Sequence, residues 1–214
     1  AKTTSATNMA IITALVPLLT MAASSLLLGE APSVGMIGGG LISLVGVVYL
    51  ITRGRPETLV DRGVHAGDLL MLGAAAAYAL YGVLLKRWHV GLPVWQSTYV
   101  QAIAALVFMT PMVLRLPGQA AIPTRASIPL ILYAGVLASV VLPYLWMQGV
   151  KHLGPSRCAL FMNLLPLMTA AIAIGMLGES VHLYHLWGGG VALAGVMVAQ
   201  RFSMPLRRAQ AVRQ

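Results

Sequence analysis

Charge is what this sequence has least of. Only 9% of its 214 residues are Asp, Glu, Lys or Arg, whereas soluble domains carry about a quarter. That excludes an ordinary solvated domain. Acidic residues are the scarcest, five against 14 Lys and Arg, and none sits in the middle of an apolar run, so proton coupling through a central carboxylate is unsupported. A single cysteine, Cys158, excludes an intrachain disulfide. Segments of about ten residues alternating polar and apolar are also missing, which argues against a transmembrane barrel. What is present is 58% hydrophobic residues and a mean hydropathy of +0.84, gathered in blocks of about 20 residues, the length that crosses about 30 Å of hydrocarbon as a helix. Helices are required because lipid offers the backbone no hydrogen-bond partners.

The sequence therefore reads as an all-α integral membrane protein with seven spans. They run from about Asn8 to Leu28, Val34 to Ile51, Asp68 to Leu85, Pro93 to Leu114, Ile128 to Val150, Pro155 to Leu177 and Leu183 to Gln200. The net charge of +9 does not point to nucleic acid, because the basic residues flank spans or lie in the tail at Arg201, Arg207, Arg208 and Arg213. Such flanks orient membrane helices. Alternating sides puts eight basic residues on the side of the C-terminus and six on the other, a weak bias toward a cytoplasmic C-terminus.

An internal repeat is the strongest signal. A gapless shift of 149 residues carries Leu15, Pro17, Leu18, Thr20 and Ala22 onto Leu164, Pro166, Leu167, Thr169 and Ala171. The same shift carries Leu28-Gly29-Glu30 onto Leu177-Gly178-Glu179, Gly39-Gly40 onto Gly188-Gly189, and Gly46-Val47 onto Gly195-Val196. Five spans separate each segment from its copy, and an odd number reverses the direction of crossing. Inverted repeats of this kind are common in secondary transporters, with substrate near the midplane where the halves meet. Spans three to seven would form one complete five-helix repeat, expected as a compact half, and the first two spans would be the last two helices of the other. Three helices are expected before Ala1.

These stretches, SATNMAIITALVPLLTMAASSLLLGE with GGGLISLVGVVYL and GPSRCALFMNLLPLMTAAIAIGMLGE with WGGGVALAGVMVAQR, resemble the EamA-type transporters of the drug/metabolite transporter superfamily. GDLLMLGAAAAYALYGVLLKR is similar to the opening helix of such a repeat. The resemblance implies helices four to ten of a ten-helix, five-plus-five fold. Residues 1–54 would close the first repeat, 55–67 would link the repeats, 68–201 would form the second, and 202–214 would be a basic tail. It also implies a bacterial cytoplasmic (inner) membrane location, a cytoplasmic C-terminus, and transport of amino acids, metabolites or drugs without a cofactor.

Polar and aromatic side chains within spans are few. Tyr78, Tyr81, Tyr99, Gln101, Tyr144, Gln148 and Asn163 are the candidate substrate contacts. Tyr78 and Tyr81 share a helix face, as do Tyr144 and Gln148. A buried amide without a partner costs about 1–3 kcal/mol, so such groups should face the interior or a watered cavity. Pro17, Pro166 and Pro143 interrupt spans and should release the carbonyls of Thr13, Met162 and Ser139, as helix breaks with a gating role or as packing kinks. Glu30, Glu179 and Asp68 read as capping and turn residues at span ends. Gly35, Gly39 and Ser43, with Gly188 and Ala192 and with Gly195 and Ala199, read as faces of small residues that let helices approach closely.

The function these features favour is a secondary carrier or exporter of small organic solutes working by alternating access, with lipid as its surroundings. A non-transporting membrane scaffold is the alternative. An intramembrane enzyme would need an acid, base, nucleophile or metal constellation. His182 and His185 have a spacing that suits a metal, yet no third ligand is near.

Overall fold

The computed structural model describes residues 6–58, 66–88, 91–115, 124–125, 127–178 and 180–202. The expectations for Glu179, for most of the basic tail and for much of the loop between the repeats fall outside them. The described residues are helical almost throughout. In chain order they form α1 (Ala6–Ala14), α2 (Val16–Leu28), α3 (Val34–Ile51), α4 (Ala66–Trp88) and α5 (Val94–Val113). Then come α6 (Ile128–Leu132), a π-helical segment (Tyr133–Val141), α7 (Leu142–Leu153), α8 (Pro155–Leu160), a 3-10 turn (Phe161–Leu164), α9 (Leu165–Leu177) and α10 (Leu183–Arg201).

Five helical stretches are long and apolar enough to cross a membrane: Thr7–Leu28, Val34–Ile51, Ala66–Trp88, Ile128–Leu153 and Pro155–Leu177. The other two expected spans, now α5 and α10, are helices of 20 and 19 residues. Gln, Ser and Thr in α5, and Gly and His in α10, dilute their hydropathy.

The helix boundaries keep the sequence register. The 149-residue shift takes the bounds of α1 and α2, Ala6 and Leu28, onto Pro155 and Leu177, and the break at Leu15 onto Leu164. Both stretches end on a glycine in the left-handed region, Gly29 at φ 67° and Gly178 at φ 69°, where a side chain would be strained. The shift also takes Val34, the first residue of α3, onto Leu183, the first of α10.

Pro166 lacks the N–H that would bond the carbonyl of Met162, and the sequence predicts that carbonyl to be free. Instead the backbone tightens by one residue into the 3-10 turn, and Leu165 N–H bonds Met162 O. Pro143 is accommodated the other way. The backbone before it loosens into the π-helical segment, with Leu142 N–H on Leu137 O and Ser139 Oγ on Ala134 O at 2.7 Å.

The chain forms two compact units, one of residues 1–87 with 153–214 and one of 88–152. Spans three to seven therefore do not cluster as a half of their own. The cause lies in the first unit, where α3 and α10 pack together along their length. A Cβ on Gly39 would collide with the backbone of Gly195 and Ala199, and one on Gly46 with that of Gly188 and Ala192. From the other side, a Cβ on Gly188 would lie 2.8 Å from Leu50 N and 2.9 Å from Gly46 O. The start of α3 meets the end of α10, so the two run antiparallel. The partners are also reciprocal, Gly39 with Gly195 and Gly46 with Gly188, as in a self-complementary contact between related elements. The small-residue faces read in the sequence meet in this seam.

In the second unit, α5 and the α7 region share a polar contact. Thr98 Oγ1 lies 3.4 Å and Gln101 Nε2 lies 3.6 Å from Met147 Sδ. The π-helical segment of this unit carries no buried residue.

Candidate functional site

The first unit holds a cleft of about 510 Å³, within the range of small-molecule sites. Its two longer walls come from α1 and α9. Ala10, Thr13 and Ala14 of α1 line one side, and Leu165, Pro166, Thr169, Ala170 and Ala173 of α9 line the other. The 3-10 turn contributes Met162 and Asn163, the end of α3 contributes Leu50, Ile51 and Arg53, and the start of α10 contributes Tyr184 and His185. The hydroxyls of Thr13 and Thr169 bond back to the carbonyls of Met9 and Leu165 in their own helices, at 2.8 and 2.9 Å. They soften the helix surface without leaving a donor unsatisfied.

Asn163 is the polar group the cleft does not satisfy. It is 1% exposed. Its Nδ2 donates to Ser43 Oγ at 3.2 Å, while its Oδ1 is buried with no partner. The 3-10 turn that absorbs Pro166 sets Asn163 facing α3, so the helix break and the amide belong to one local structure.

Arg53 reaches the cleft through unusual backbone. It is the residue after the C-cap of α3 and takes φ 54°, the left-handed conformation that glycine normally fills there. Gly54 N–H closes the turn on Tyr49 O at 2.9 Å. No side-chain bond to Arg53 is present among the described residues. His185 is a capping residue as well as a cleft residue, because its Nδ1 accepts the N–H of His182 at 3.1 Å. In the neutral ring that leaves the proton on Nε2. The histidine pair is thus accounted for by the start of α10, and among the described residues no cluster of three metal-ligating side chains occurs.

The surfaces that the 149-residue shift relates to the two cleft walls are in contact with each other. α2 packs against α8, and Ser156 Oγ donates to Ser24 Oγ at 3.0 Å. The shift of 149 residues maps α2 onto α9 and α8 onto α1, the two walls that the cleft separates. Around the closed end, Glu30 is ion-paired with Lys86, and Arg87 Nη1 bonds Leu27 O at 3.2 Å. Glu30 thus joins the end of α2 to α4 in addition to following its glycine cap. At the other end of α4, Asp68 stands in the first turn as expected and accepts from Asn8 Nδ2 at 3.1 Å.

Of the residues singled out in the sequence, Asn163 and Pro166 line the cleft. Pro17 is buried in the first turn of α2. Tyr78 and Tyr81 pack as a tilted ring pair with centroids 6.2 Å apart, with Tyr78 38% exposed. In the second unit, Gln148 Nε2 donates to Tyr144 Oη at 2.9 Å, Gln101 meets Met147, and Tyr99 is 63% exposed. Ser43, Arg53, Ser24 and Ser156 are not among the candidate contacts that the sequence offers. Ser43 looks like one more small residue of the seam and Arg53 like one more flanking charge, and no local pattern marks either.

Apolar helices of membrane-spanning length make this an integral membrane protein. Residues 65–200 match the EamA-like transporter family, and the chain belongs to that family. It is 30% identical over 204 residues to an uncharacterized transporter of Bacillus subtilis (strain 168), YyaM, covering 92% of this chain and 65% of the relative. An uncharacterized transporter of Archaeoglobus fulgidus is 29% identical, over 75% of this chain and 55% of its own length. A probable terminal-alkyne amino-acid exporter of Streptantibioticus cattleyicolor is 25% identical, over 92% and 65% respectively. The chain thus spans less than two thirds of the length of these relatives. No solved structure matches it.

Proposed function

We propose that this protein is a secondary carrier or exporter that moves small organic solutes by alternating access between two inverted repeats. Residues 1–54 belong to the first repeat and 68–201 form the second, in a bacterial cytoplasmic membrane with the C-terminus on the cytoplasmic side. The observation that carries the reading is the asymmetry of repeat-related surfaces: α2 is closed on α8 while α1 and α9 stand apart across the cleft. Two halves of like sequence that hold unlike conformations can exchange them, which opens one side as the other shuts. The breaks at Leu15 and Leu164, each two residues before a proline, supply the bends about which the half-helices move. The antiparallel glycine seam of α3 and α10 supports the inversion, since an axis relating two antiparallel spans lies in the membrane plane.

Amino acids, other metabolites and drugs are the solute classes, and the exporter name of one relative favours the first. Asn163 serves as a substrate contact at the cleft, and Tyr78, Tyr81, Tyr99, Gln101, Tyr144 and Gln148 are further substrate contacts of the carrier. The test is flux. Purified protein in liposomes is expected to move at least one member of a panel of amino acids and amphipathic drugs faster than empty vesicles do. Uptake and efflux at the empty-vesicle level across the whole panel would rule the carrier out.

A further inference from the structure

We infer that the cleft between α1 and α9 is a binding site for an amphipathic organic anion, whose carboxylate or phosphate is held by Arg53 and whose apolar body lies between the two helices. This deepens the carrier reading by naming the solute class, and rests on it only for the ligand's being transported.

Four observations converge. The cleft walls are mainly Ala, Leu, Ile and Met side chains, so an apolar body is favoured there. The polar groups at its α3 and α10 edge are donors: the Arg53 guanidinium, the Tyr184 hydroxyl and the His185 ring, whose Nδ1 is already taken. Among the described residues no carboxylate lines the cleft, so the sign of charge it accepts is negative. Arg53, finally, occupies a left-handed position suited to glycine, where crowding of its Cβ against the following carbonyl oxygen is unfavourable, and its guanidinium has no partner among the described residues. Asn163 completes the site. Its Oδ1 is a buried acceptor without a partner, and a ligand with a hydroxyl, amide or ammonium donor on its body relieves that cost when it fills the cleft.

The experiment uses the purified full chain in phosphatidylcholine nanodiscs and equilibrium dialysis with two probes of equal body and opposite charge, 3-phenylpropionate and 3-phenylpropylamine. The acid is expected to bind about tenfold or more tighter, the ratio of one charge-assisted hydrogen bond gained. Arg53→Gly is the decisive variant, because glycine suits the backbone there and the fold should melt at an equal or higher temperature. It should remove the preference for the acid. Arg55→Gln, a charge on the same loop that does not line the cleft, should leave it intact.

Equal binding of acid and amine, or an unchanged preference in Arg53→Gly, would overturn the proposal. Repeating the measurement with phosphatidylglycerol in the nanodisc separates two sources of the same chemistry. Displacement of the acid makes a lipid headgroup the natural occupant, and undiminished binding makes it a solute; either result upholds an anion site. Anion binding without flux in liposomes would remove the carrier reading and leave this one standing.

Discussion

Gly46→Val is expected to cost about 3 kcal/mol or more, the upper end for overpacking a tight contact. The atoms in the way are backbone, Gly188 O at 2.7 Å and the amide of Ala192, and backbone cannot rotate aside as a side chain can. Relief requires α3 and α10 to separate, which forfeits dispersion contacts along the whole seam. Folded proteins are stable by only about 5–15 kcal/mol, so one valine removes a large share. Gly38 is the control. It lies on the same helix with open space around it, and Gly38→Val should melt close to the parent. Cys158, 7% exposed and the sole cysteine, provides the readout, since its reaction with a fluorescent maleimide during heating reports unfolding. A Gly46→Val protein that melts with the parent would mean the helices do not approach so closely.

The second large effect is on transport. Joining Ser24→Cys to Ser156→Cys, in a protein where Cys158→Ala removes the native thiol, places two sulfurs where two hydroxyls now lie 3.0 Å apart. A disulfide needs about 2.05 Å between sulfurs and Cβ atoms about 3.8 Å apart, so a small adjustment forms it. Oxidation is expected to hold α2 on α8 and bring flux down to the empty-vesicle level, and reductant to restore it. The pair that the 149-residue shift relates to it, Thr7→Cys with Ala173→Cys, joins α1 to a cleft-lining position of α9. It should cross-link only when the first pair is free, and should also stop flux. Full flux through the oxidised Ser24–Ser156 protein would show that α2 and α8 never need to part.

Much of the helical framework is legible in the sequence because lipid simplifies the code. Apolar blocks of span length must be helices, and the Gly-Glu turns mark where they end. Val34–Ile51 is read to the residue for that reason. Breaks within spans are less legible. Pro166 announces that a bond is missing, yet whether the backbone leaves a carbonyl free or tightens to bond it depends on the energy of the surrounding turn. Pro143 shows the opposite outcome from the same residue type.

The candidate site divides in the same way. Asn163 stands out because an amide in an apolar span is costly and rare. Ser43, 120 residues earlier in the chain, becomes its partner only through the α3 packing, and a serine in a row of small residues carries no sign of that. Arg53 carries even less, since a basic residue after a span is what topology already explains.

By itself the sequence determined that this protein lives in a membrane, that its spans are helices, and that two stretches 149 residues apart follow one pattern. Those properties follow from hydropathy and backbone hydrogen bonding, which act along the chain. Only the tertiary structure decided which related surfaces are closed, where the cleft lies, and that Arg53 reaches it with no carboxylate among the described residues that line it. Two stretches with one pattern have the same intrinsic preferences, so the difference between the closed and open sides has to come from contacts between distant parts of the chain.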